Sequence, residues 1–297
     1  MPFWQLTVPT SADSTDGLTN FLWEQGALGV VEEEAPGAPP RLRAFFAESM
    51  SSTALLAAVD GYRASLRALG FSLDPGSAEI GPLLDEAWAS AWQQSFPARA
   101  VGRRLRVLPP WLDDAESEPA HGAADGASVI IEPGRAFGTG HHGTTEGCLV
   151  LLEDALEREP GAPVLDVGTG TGILAIAALK LGAAAGLAID VDPDAVAAAR
   201  VNAARNGCEA LAVRLAEPAE VTERFPLVLA NLLTHTHLTL ASQYARLVAP
   251  RGRLVLGGML EGEDGRVAEA MATLGFTARS RLALEGWASL SLDAPDR

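Results

Sequence analysis

Residues 163–194 constrain the fold of this chain more than any other stretch, because they join a buried strand, a glycine-rich loop, a helix and a second strand. The apolar run at residues 164–167 is short and bounded by turn residues, which is typical of a strand in a parallel sheet covered on both faces. Gly168, Gly170 and Gly172 then let the backbone turn sharply and let a ligand approach the loop amides. The stretch therefore predicts an open α/β sheet with a binding site at this loop.

The second half of the stretch predicts how the ligand is held. Residues 173–181 form the predicted helix, and the free N–H groups at its start face the ligand. Residues 187–189 form the second strand, and Asp190 follows it, 22 positions after Gly168. Folds of this kind place an acid there to bind the hydroxyl groups of a ribose. We therefore expect Asp190 to bind the sugar of a nucleotide-like cofactor.

The spacing of the glycines indicates which cofactor this is. A dinucleotide fingerprint requires glycine or alanine three residues after the second glycine, and Ile173 occupies that position. Asp166 lies two residues before the first glycine, where a carboxylate suits a cation better than a pyrophosphate. The pattern D-x-G-x-G-x-G resembles motif I of the class I methyltransferases, whose cofactor S-adenosylmethionine carries an ammonium and a sulfonium group. On that resemblance Asp166 lies below the methionine end of the cofactor and Asp190 binds its ribose.

A second glycine-rich stretch, residues 131–146, precedes the first helix of the large domain. The ring of Phe137 is flanked by small residues that cannot bury it, so it is free to stack on a planar ligand. Threonine hydroxyls and the N–H groups at the start of the helix near Gly143 add polar contacts. We expect this stretch to bind the cofactor through Phe137, Gly138, Thr139, Thr144 and Thr145.

Asn231 is the candidate catalytic residue. It follows a predicted strand at residues 225–230, and ligands of open parallel sheets bind at this end of the strands. Its side-chain oxygen can accept a hydrogen bond from an incoming amine. We expect Asn231 to face the transferable methyl group, to contact the cofactor and to orient the amine. A turn-forming asparagine after a strand is the alternative interpretation.

The histidines do not predict a metal site. His141 and His142 are adjacent on a loop, where two neighbouring side chains rarely face one ion. His235 and His237 follow Asn231 in a segment that is typical of a loop or the start of a helix. We expect these two on the surface or in the substrate cleft, and we expect no metal.

The N-terminal part of the chain predicts a small α+β domain at residues 1–80. Its six elements follow the order strand, helix, strand, strand, helix, strand, at residues 3–9, 11–24, 28–33, 41–48, 52–69 and from residue 71 onward. This order is that of the ferredoxin-like arrangement. Helically spaced apolar residues then predict a linker helix at residues 81–97.

Residues 98–297 predict the large α/β domain. Two strands, at residues 103–108 and 128–132, come before the glycine-rich stretches. Seven more strands are predicted, with helices between most of them and the last two consecutive, at residues 164–167, 187–189, 211–214, 225–230, 253–256, 277–284 and 287–292. We expect a Rossmann-like sheet of seven strands, one of them antiparallel, which is the layout of class I methyltransferases.

The composition narrows the range of partners. Hydrophobic residues make up 48% of the 297 residues, enough for a large core. The formal net charge of −16 argues against direct binding of nucleic acid, which depends on Lys and Arg side chains neutralising phosphates. An acidic surface suits a basic protein partner, and solubility alone would also account for it.

Targeting signals are not expected in this sequence. Cys148 and Cys208 are too few for a disulfide framework, which indicates a reducing compartment. No Lys or Arg precedes Arg41, so the N-terminus lacks the basic region of a signal peptide. The longest apolar stretch, residues 172–189, is accounted for by a helix and a strand. We expect a cytoplasmic protein that acts as a monomer and does not span a membrane.

Several motifs together resemble one family. PGRAFGTGHHGTT, DVGTGTG, AIDVDP, VLANLL and WASAWQQSF are similar to the corresponding segments of the PrmA family, which methylates the large-subunit ribosomal protein numbered eleven. The resemblance implies transfer from S-adenosylmethionine to lysine side chains and to the N-terminal α-amine of that protein, with residues 1–80 recognising the substrate. Two alternatives stay open: a methyltransferase of RNA or a small metabolite, and a non-catalytic, cofactor-binding ribosome assembly factor.

Overall fold

The computed structural model describes residues 3–11, 14–27, 29–33, 40–47, 50–68, 70–83, 96–112, 126–133 and 143–296. The chain divides into two compact units, Met1–Pro97 and Ala98–Arg297. Most of the predicted linker helix and three predicted cofactor-binding residues, Phe137, Gly138 and Thr139, lie outside the described residues. Within the described parts, no helix combines the length and the apolar character needed to cross a membrane.

The N-terminal unit contains a four-stranded antiparallel sheet with two helices. Its elements are β1 (Phe3–Pro9), α1 (Thr15–Glu24), β2 (Gly29–Glu33), β3 (Arg41–Ala47), α2 (Ser52–Ala68) and β4 (Glu79–Leu83). The strand order is β2-β3-β1-β4, and each neighbouring pair is antiparallel. Leu6 and Phe46 from the sheet pack with Leu18 and Val59 from the helices in one core. The predicted ferredoxin-like fold is confirmed.

The last strand of this unit lies further along the chain than its predicted position. A strand was expected from residue 71, but residues 71–78 have no regular structure and β4 occupies residues 79–83. The buried guanidinium group of Arg63 accounts for this, since its Nη2 donates to the carbonyl oxygens of Asp74 at 2.8 Å and Gly76 at 2.7 Å. These two hydrogen bonds hold residues 74–76 in an irregular conformation, and pairing with β1 begins only at Glu79. Residues 81–83, predicted to begin the linker helix, therefore belong to β4.

The C-terminal unit begins with a small three-stranded sheet and continues with alternating helices and strands. The small sheet consists of β5 (Arg99–Val101), β6 (Leu105–Leu108) and β7 (Ala127–Ile130). The elements that follow are α3 (Gly143–Arg158), β8 (Val164–Val167), α4 (Ile173–Lys180), β9 (Gly186–Asp190), α5 (Pro193–Arg205), β10 (Leu211–Leu215), β11 (Phe225–Asn231), α6 (Thr234–Leu247), β12 (Val248–Leu260), α7 (Asp264–Thr273), β13 (Thr277–Leu284) and β14 (Trp287–Asp293).

The large sheet has seven strands in the order β10-β9-β8-β11-β12-β14-β13. Strand β14 is antiparallel to both its neighbours, and the strand pairs between β10 and β12 are parallel. The predicted seven-stranded sheet with one antiparallel member is confirmed, and with it the class I methyltransferase layout.

Both faces of the large sheet are covered by hydrophobic side chains. Val164 and Leu229 belong to one core, whereas Leu165 and Val228 belong to another. Successive residues of a strand point to opposite faces, so the two cores lie on the two sides of the sheet. Helices α3 and α4 contribute to the first core, and α6 and α7 to the second. This double covering explains why the central strands are mostly apolar, with the buried Asp166 as an exception in β8.

Replacing Arg63 with Met should destabilise the N-terminal unit. The substitution removes two charge-assisted hydrogen bonds and leaves the carbonyls of Asp74 and Gly76 without their donor, which should cost about 2–3 kcal/mol of unfolding free energy. Urea denaturation of the full chain, followed by circular dichroism, measures the change. Arg67→Met on the exposed side of the same helix is the matched control and should change the midpoint little. Equal midpoints for the two variants would contradict this role of Arg63.

Candidate functional site

The candidate site lies where the direction of chain connections across the large sheet changes. Strand β8 pairs with β9 on one side and with β11 on the other. In this register Val167 pairs with Ala230, so Gly168 and Asn231 leave neighbouring strands at the same edge. A crevice forms at such a point because the connections run away from it in opposite directions.

The glycine loop follows β8 in a conformation that favours glycine. Gly168, Gly170 and Gly172 have φ angles of 70°, 55° and 85°, in the left-handed region where a Cβ is unfavourable. Side chains would also collide, since a Cβ at Gly168 would press on Leu232 and one at Gly172 would lie 3.2 Å from the Cβ of Ala199. The loop therefore packs closely against the protein, with Gly168 and Gly170 partly exposed.

Asp190 at the end of β9 is tied to this loop. Its Oδ2 accepts a hydrogen bond from the backbone N–H of Gly170 at 2.9 Å, and its Oδ1 accepts one from the N–H of Asp192 at 3.0 Å. Each carboxylate oxygen has further lone pairs, and the side chain is partly exposed. Asp190 is therefore held in one orientation and can still accept hydrogen bonds from the hydroxyls of a ribose.

Asp166 is buried below the glycine loop, with 1% of its surface exposed. Its Oδ2 accepts hydrogen bonds from Thr169 Oγ1 at 2.6 Å and from the N–H of Ala175 at 3.3 Å. Its Oδ1 has no hydrogen-bond partner among the described residues. The pKa of Asp166 is raised to about 7, mainly because the carboxyl is buried and to a lesser extent because of the charge of Asp190. The two hydrogen bonds act in the opposite direction and lower this pKa. A cation at this position would stabilise the ionised carboxylate.

Asn231 is held by the first turn of α3. Its Nδ2 donates to the hydroxyl oxygens of Thr144 and Thr145, each at 3.3 Å, and both threonines are buried. Its Oδ1 is buried and has no hydrogen-bond partner among the described residues. Gly257 lies beside this oxygen, where a Cβ would come within 3.1 Å of it. The amide is therefore fixed in place with an acceptor oxygen that no described group uses.

The structure brings most of the predicted site residues to one edge of the sheet. These are Thr144, Thr145, Asp166, Gly168, Gly170, Gly172, Asp190 and Asn231. Their assignment to the cofactor and the substrate stays a prediction, as does that of Phe137, Gly138 and Thr139 outside the described residues. No group of three or more His, Cys, Asp or Glu side chains among the described residues is arranged to hold a metal ion.

Two buried asparagines, one in α5 and one at its C-cap, hold segments near the site and were not anticipated. Asn202 donates through Nδ2 to the carbonyl of Thr171 in the glycine loop at 2.9 Å and accepts from the N–H of Glu132 at 3.1 Å. Asn206 pairs with both the N–H and the carbonyl of Ile130, at 2.8 and 2.7 Å. Asn202 lies on the buried face of α5, and Asn206, four residues later, is the C-cap residue of that helix and is also buried. A polar residue on the apolar face of a helix was the signal that could have identified Asn202.

The predicted position of His237 on the surface or in the substrate cleft is wrong, whereas His235 is exposed as expected. Both lie in the first turns of α6, which begins at Thr234. Two positions apart on a helix are rotated by about 200°, so they point to nearly opposite sides. His237 consequently lies in the core with none of its surface exposed.

The unfolding free energy should depend on pH through Asp166. In the unfolded chain this carboxyl ionises near its usual value of 3.8, and in the folded protein at about 7. Unfolding therefore releases a proton between these values, so stability should fall as pH rises from about 4 to 7, by up to about 4 kcal/mol.

Asp166→Asn tests this pH dependence. The variant should unfold at a higher temperature than the wild-type protein at pH 8 and show a smaller difference at pH 5, measured by scanning calorimetry without ligand. Asp194→Asn, at an exposed position on α5, is the control and should follow the wild-type pH dependence. A pH-independent difference for Asp166→Asn would contradict the raised pKa.

The site residues fit S-adenosylmethionine. The unpartnered oxygen of buried Asp166 suits a cationic group, and partly exposed Asp190 suits a ribose diol. Gly172 is the N-cap residue of helix α4 and provides no side-chain cap, so the N–H groups at the start of the helix that Asp166 does not use suit the carboxylate of the methionine moiety. Gly168 and Gly170 in the loop are partly exposed, so their backbone can contact a ligand without an intervening side chain.

Comparison with known proteins agrees with this fit. The family model described as "Ribosomal protein L11 methyltransferase (PrmA)" matches residues 2–295. A protein of that name from Xanthomonas campestris pv. campestris is 38% identical over 279 residues, covering 89% of this chain and 90% of that protein. Another from Geobacter metallireducens is 33% identical over 303 residues, covering 98% and 97%.

A solved structure shares the fold. The crystal structure of "ribosomal protein L11 methylase" from Lactobacillus delbrueckii subsp. bulgaricus superimposes with a TM-score of 0.61 at 31% sequence identity, covering 67% of this chain and 100% of that chain. The family match extends over nearly the whole sequence, and the fold is that of class I methyltransferases that use S-adenosylmethionine. The chain belongs to the ribosomal protein L11 methyltransferase (PrmA) family.

Proposed function

We propose that this protein transfers methyl groups from S-adenosylmethionine to lysine side chains and to the N-terminal α-amine of ribosomal protein L11. The observation that carries the proposal is the position of Asn231, whose half-buried amide is fixed by Thr144 and Thr145 beside the glycine loop. The family to which the chain belongs supports the choice of substrate. Since ribosomal proteins are made in the cytoplasm, we propose that the protein acts there.

S-adenosylmethionine supplies a methyl group that is already activated by its bond to a positively charged sulfur. The chain's own residues therefore need to orient the amine and exclude water, which can contribute roughly 7–11 kcal/mol to lowering the barrier. The amine nitrogen forms a bond to the methyl carbon as the bond from that carbon to sulfur breaks. In our proposal Oδ1 of Asn231 accepts a hydrogen bond from the amine and directs its lone pair to the methyl group.

The amine must be neutral when it reacts. A lysine side chain has a pKa of about 10.4 in water and an α-amine one of about 8, so both carry a proton at neutral pH for most of the time. Removal of the amine from water as it binds lowers its pKa. The released proton goes to water, and S-adenosylhomocysteine leaves as the other product.

Asn231→Ala should lower the turnover number by about ten- to a hundredfold, because a misplaced nucleophile loses most of the benefit of orientation. The affinity for S-adenosylmethionine, measured by calorimetry, should change much less. Thr239→Ala at an exposed position on α6 is the control and should keep the wild-type rate. Unchanged turnover in the Asn231 variant would contradict its role in orienting the amine.

We propose that the N-terminal unit recognises the substrate protein. The formal net charge of −16 supports attraction of a lysine-bearing partner. A ferredoxin-like domain with its own core can present a binding surface without disturbing the cofactor site. One catalytic site reaches several separate amines only if the substrate can be presented in several ways.

Deleting residues 1–97 should lower methylation of intact L11 at least about tenfold while leaving S-adenosylmethionine affinity unchanged, since the remaining unit has its own core. The same truncated protein assayed with a short lysine peptide is the control, because such a peptide does not depend on the N-terminal unit. If intact L11 were methylated at the wild-type rate, recognition by this unit would be excluded.

Mass spectrometry separates the proposal from its alternatives. The protein is incubated with S-adenosylmethionine and, in separate reactions, with purified L11, ribosomal RNA and a metabolite extract. Methyl groups on lysines and on the α-amine of L11 are the expected result. Incorporation only into RNA or metabolites would overturn the substrate assignment, and cofactor binding without any incorporation would indicate a non-catalytic assembly factor.

A further inference from the structure

His237 connects helix α6 to the strand beside Asn231. It has no exposed surface, and its ring nitrogens both have partners. Nε2 lies 2.7 Å from the carbonyl oxygen of Gly257, and Nδ1 lies 3.0 Å from the hydroxyl oxygen of Tyr244, which is also fully buried. The two side chains come from one helix and make a polar pair in an otherwise apolar core.

The partners of His237 determine its tautomer. A carbonyl oxygen only accepts hydrogen bonds, so Nε2 carries the proton and donates to Gly257. Nδ1 then has a lone pair and accepts from the hydroxyl group of Tyr244. Burial lowers the pKa of His237 to about 4, despite the raising effect of the Gly257 and Leu232 carbonyls. The ring is therefore neutral at physiological pH, and this arrangement satisfies both nitrogens.

The carbonyl group of Gly257, to which His237 donates, connects β12 to the loop after β11 through a hydrogen bond. The same oxygen accepts a second hydrogen bond from the N–H of Leu232 at 3.0 Å. Gly257 is paired in parallel register with Asn231. The peptide of Gly257 thus lies beside the end of β11 and is hydrogen-bonded to the first residue of the loop that follows.

Close packing around the Gly257 peptide couples its position to that of the Asn231 side chain. A Cβ at Gly257 would come within 3.1 Å of Asn231 Oδ1 and would collide with the sulfur of Cys148. Gly258 has a φ of 82°, and a Cβ there would collide with the backbone of Leu232. With no space between these segments, a shift of the Gly257 peptide has to move the side chain of Asn231 as well.

We propose that His237, oriented by Tyr244, is a positioning residue for methyl transfer, which acts on Asn231 through the carbonyl of Gly257. The inference rests on the proposed role of Asn231 in orienting the amine. An apolar side chain at position 237 could fill the same space without burying the polar atoms of an imidazole. The imidazole is stable there only when both of its nitrogens form hydrogen bonds. That requirement fixes the Gly257 peptide in one orientation.

Two substitutions at position 237 separate hydrogen bonding from packing. His237→Leu fills much of the space but removes the donor, so the turnover number should fall about ten- to a hundredfold, with less than about a twofold change in S-adenosylmethionine affinity. His237→Gln keeps an N–H donor near the position of Nε2 and should retain most of the turnover. Tyr244→Phe removes only the hydroxyl group and should have an intermediate effect.

Hydrogen exchange at the amide of Leu232 provides a readout that does not depend on activity. This N–H donates to the carbonyl that His237 holds, so its exchange should be about tenfold faster in His237→Leu and near wild-type in His237→Gln. Leu247→Ala, a cavity-forming change at the other end of α6, is the control for lost stability. It should leave the exchange of Leu232 and the turnover number unchanged below its unfolding temperature.

A double-mutant cycle decides whether His237 acts through Asn231. If it does, His237→Leu should lower turnover much less in an Asn231→Ala background than in the wild-type protein. Full additivity of the two effects, an equal loss in Leu247→Ala, or wild-type turnover in His237→Leu would each overturn the inference. If the wild-type protein left L11 unmethylated, the proposed function would fail, and Leu232 exchange would still decide whether His237 holds the loop.

Discussion

The parallel pairing of β8 with β11 brings together two segments that are far apart in the chain. Leu227 to Ala230 pair with Val164 to Val167, so the glycine loop and Asn231 leave the sheet side by side. A shift of this register by one residue would turn every side chain of one strand to the opposite face. The apolar side chains of β8 and β11 belong to two cores on the two faces, and this burial holds the register that the site requires.

Buried polar groups give the site its definite geometry. Asp166, Asn231 and His237 each form hydrogen bonds with a residue of another element or of a neighbouring turn. Burying such groups is unfavourable unless their hydrogen bonds are made, so each one stabilises a single arrangement of the backbone around it. Asp166 and Asn231 each retain one buried oxygen without a partner among the described residues. In our proposal the cationic cofactor satisfies the oxygen of Asp166 and the amine substrate that of Asn231.

The division of the chain into two units separates the chemistry from the proposed recognition of the substrate. The glycine loop, Asp190 and Asn231 all belong to Ala98–Arg297, which has the layout of class I methyltransferases. The N-terminal unit has a core of its own and an internal arginine, Arg63, that holds the backbone before its last strand. Substrate preference can therefore change in one unit while the cofactor site of the other is kept.

The sequence by itself determined the elements whose signal is local. Asp166, the three glycines and Asp190 follow one another at fixed spacing, and positive φ angles and buried strands leave recognisable residue types. Only the tertiary structure decided which polar side chains become buried partners. The predicted position of His237 was wrong because the helix rotates this side chain away from His235 and into the core. The predicted position of β4 was wrong because Arg63 holds residues 74–76. Asn202 was overlooked because its partner, Thr171, lies in a different segment of the chain. A hydrogen bond between distant segments depends on the packed positions of both, and no local pattern of residues specifies these.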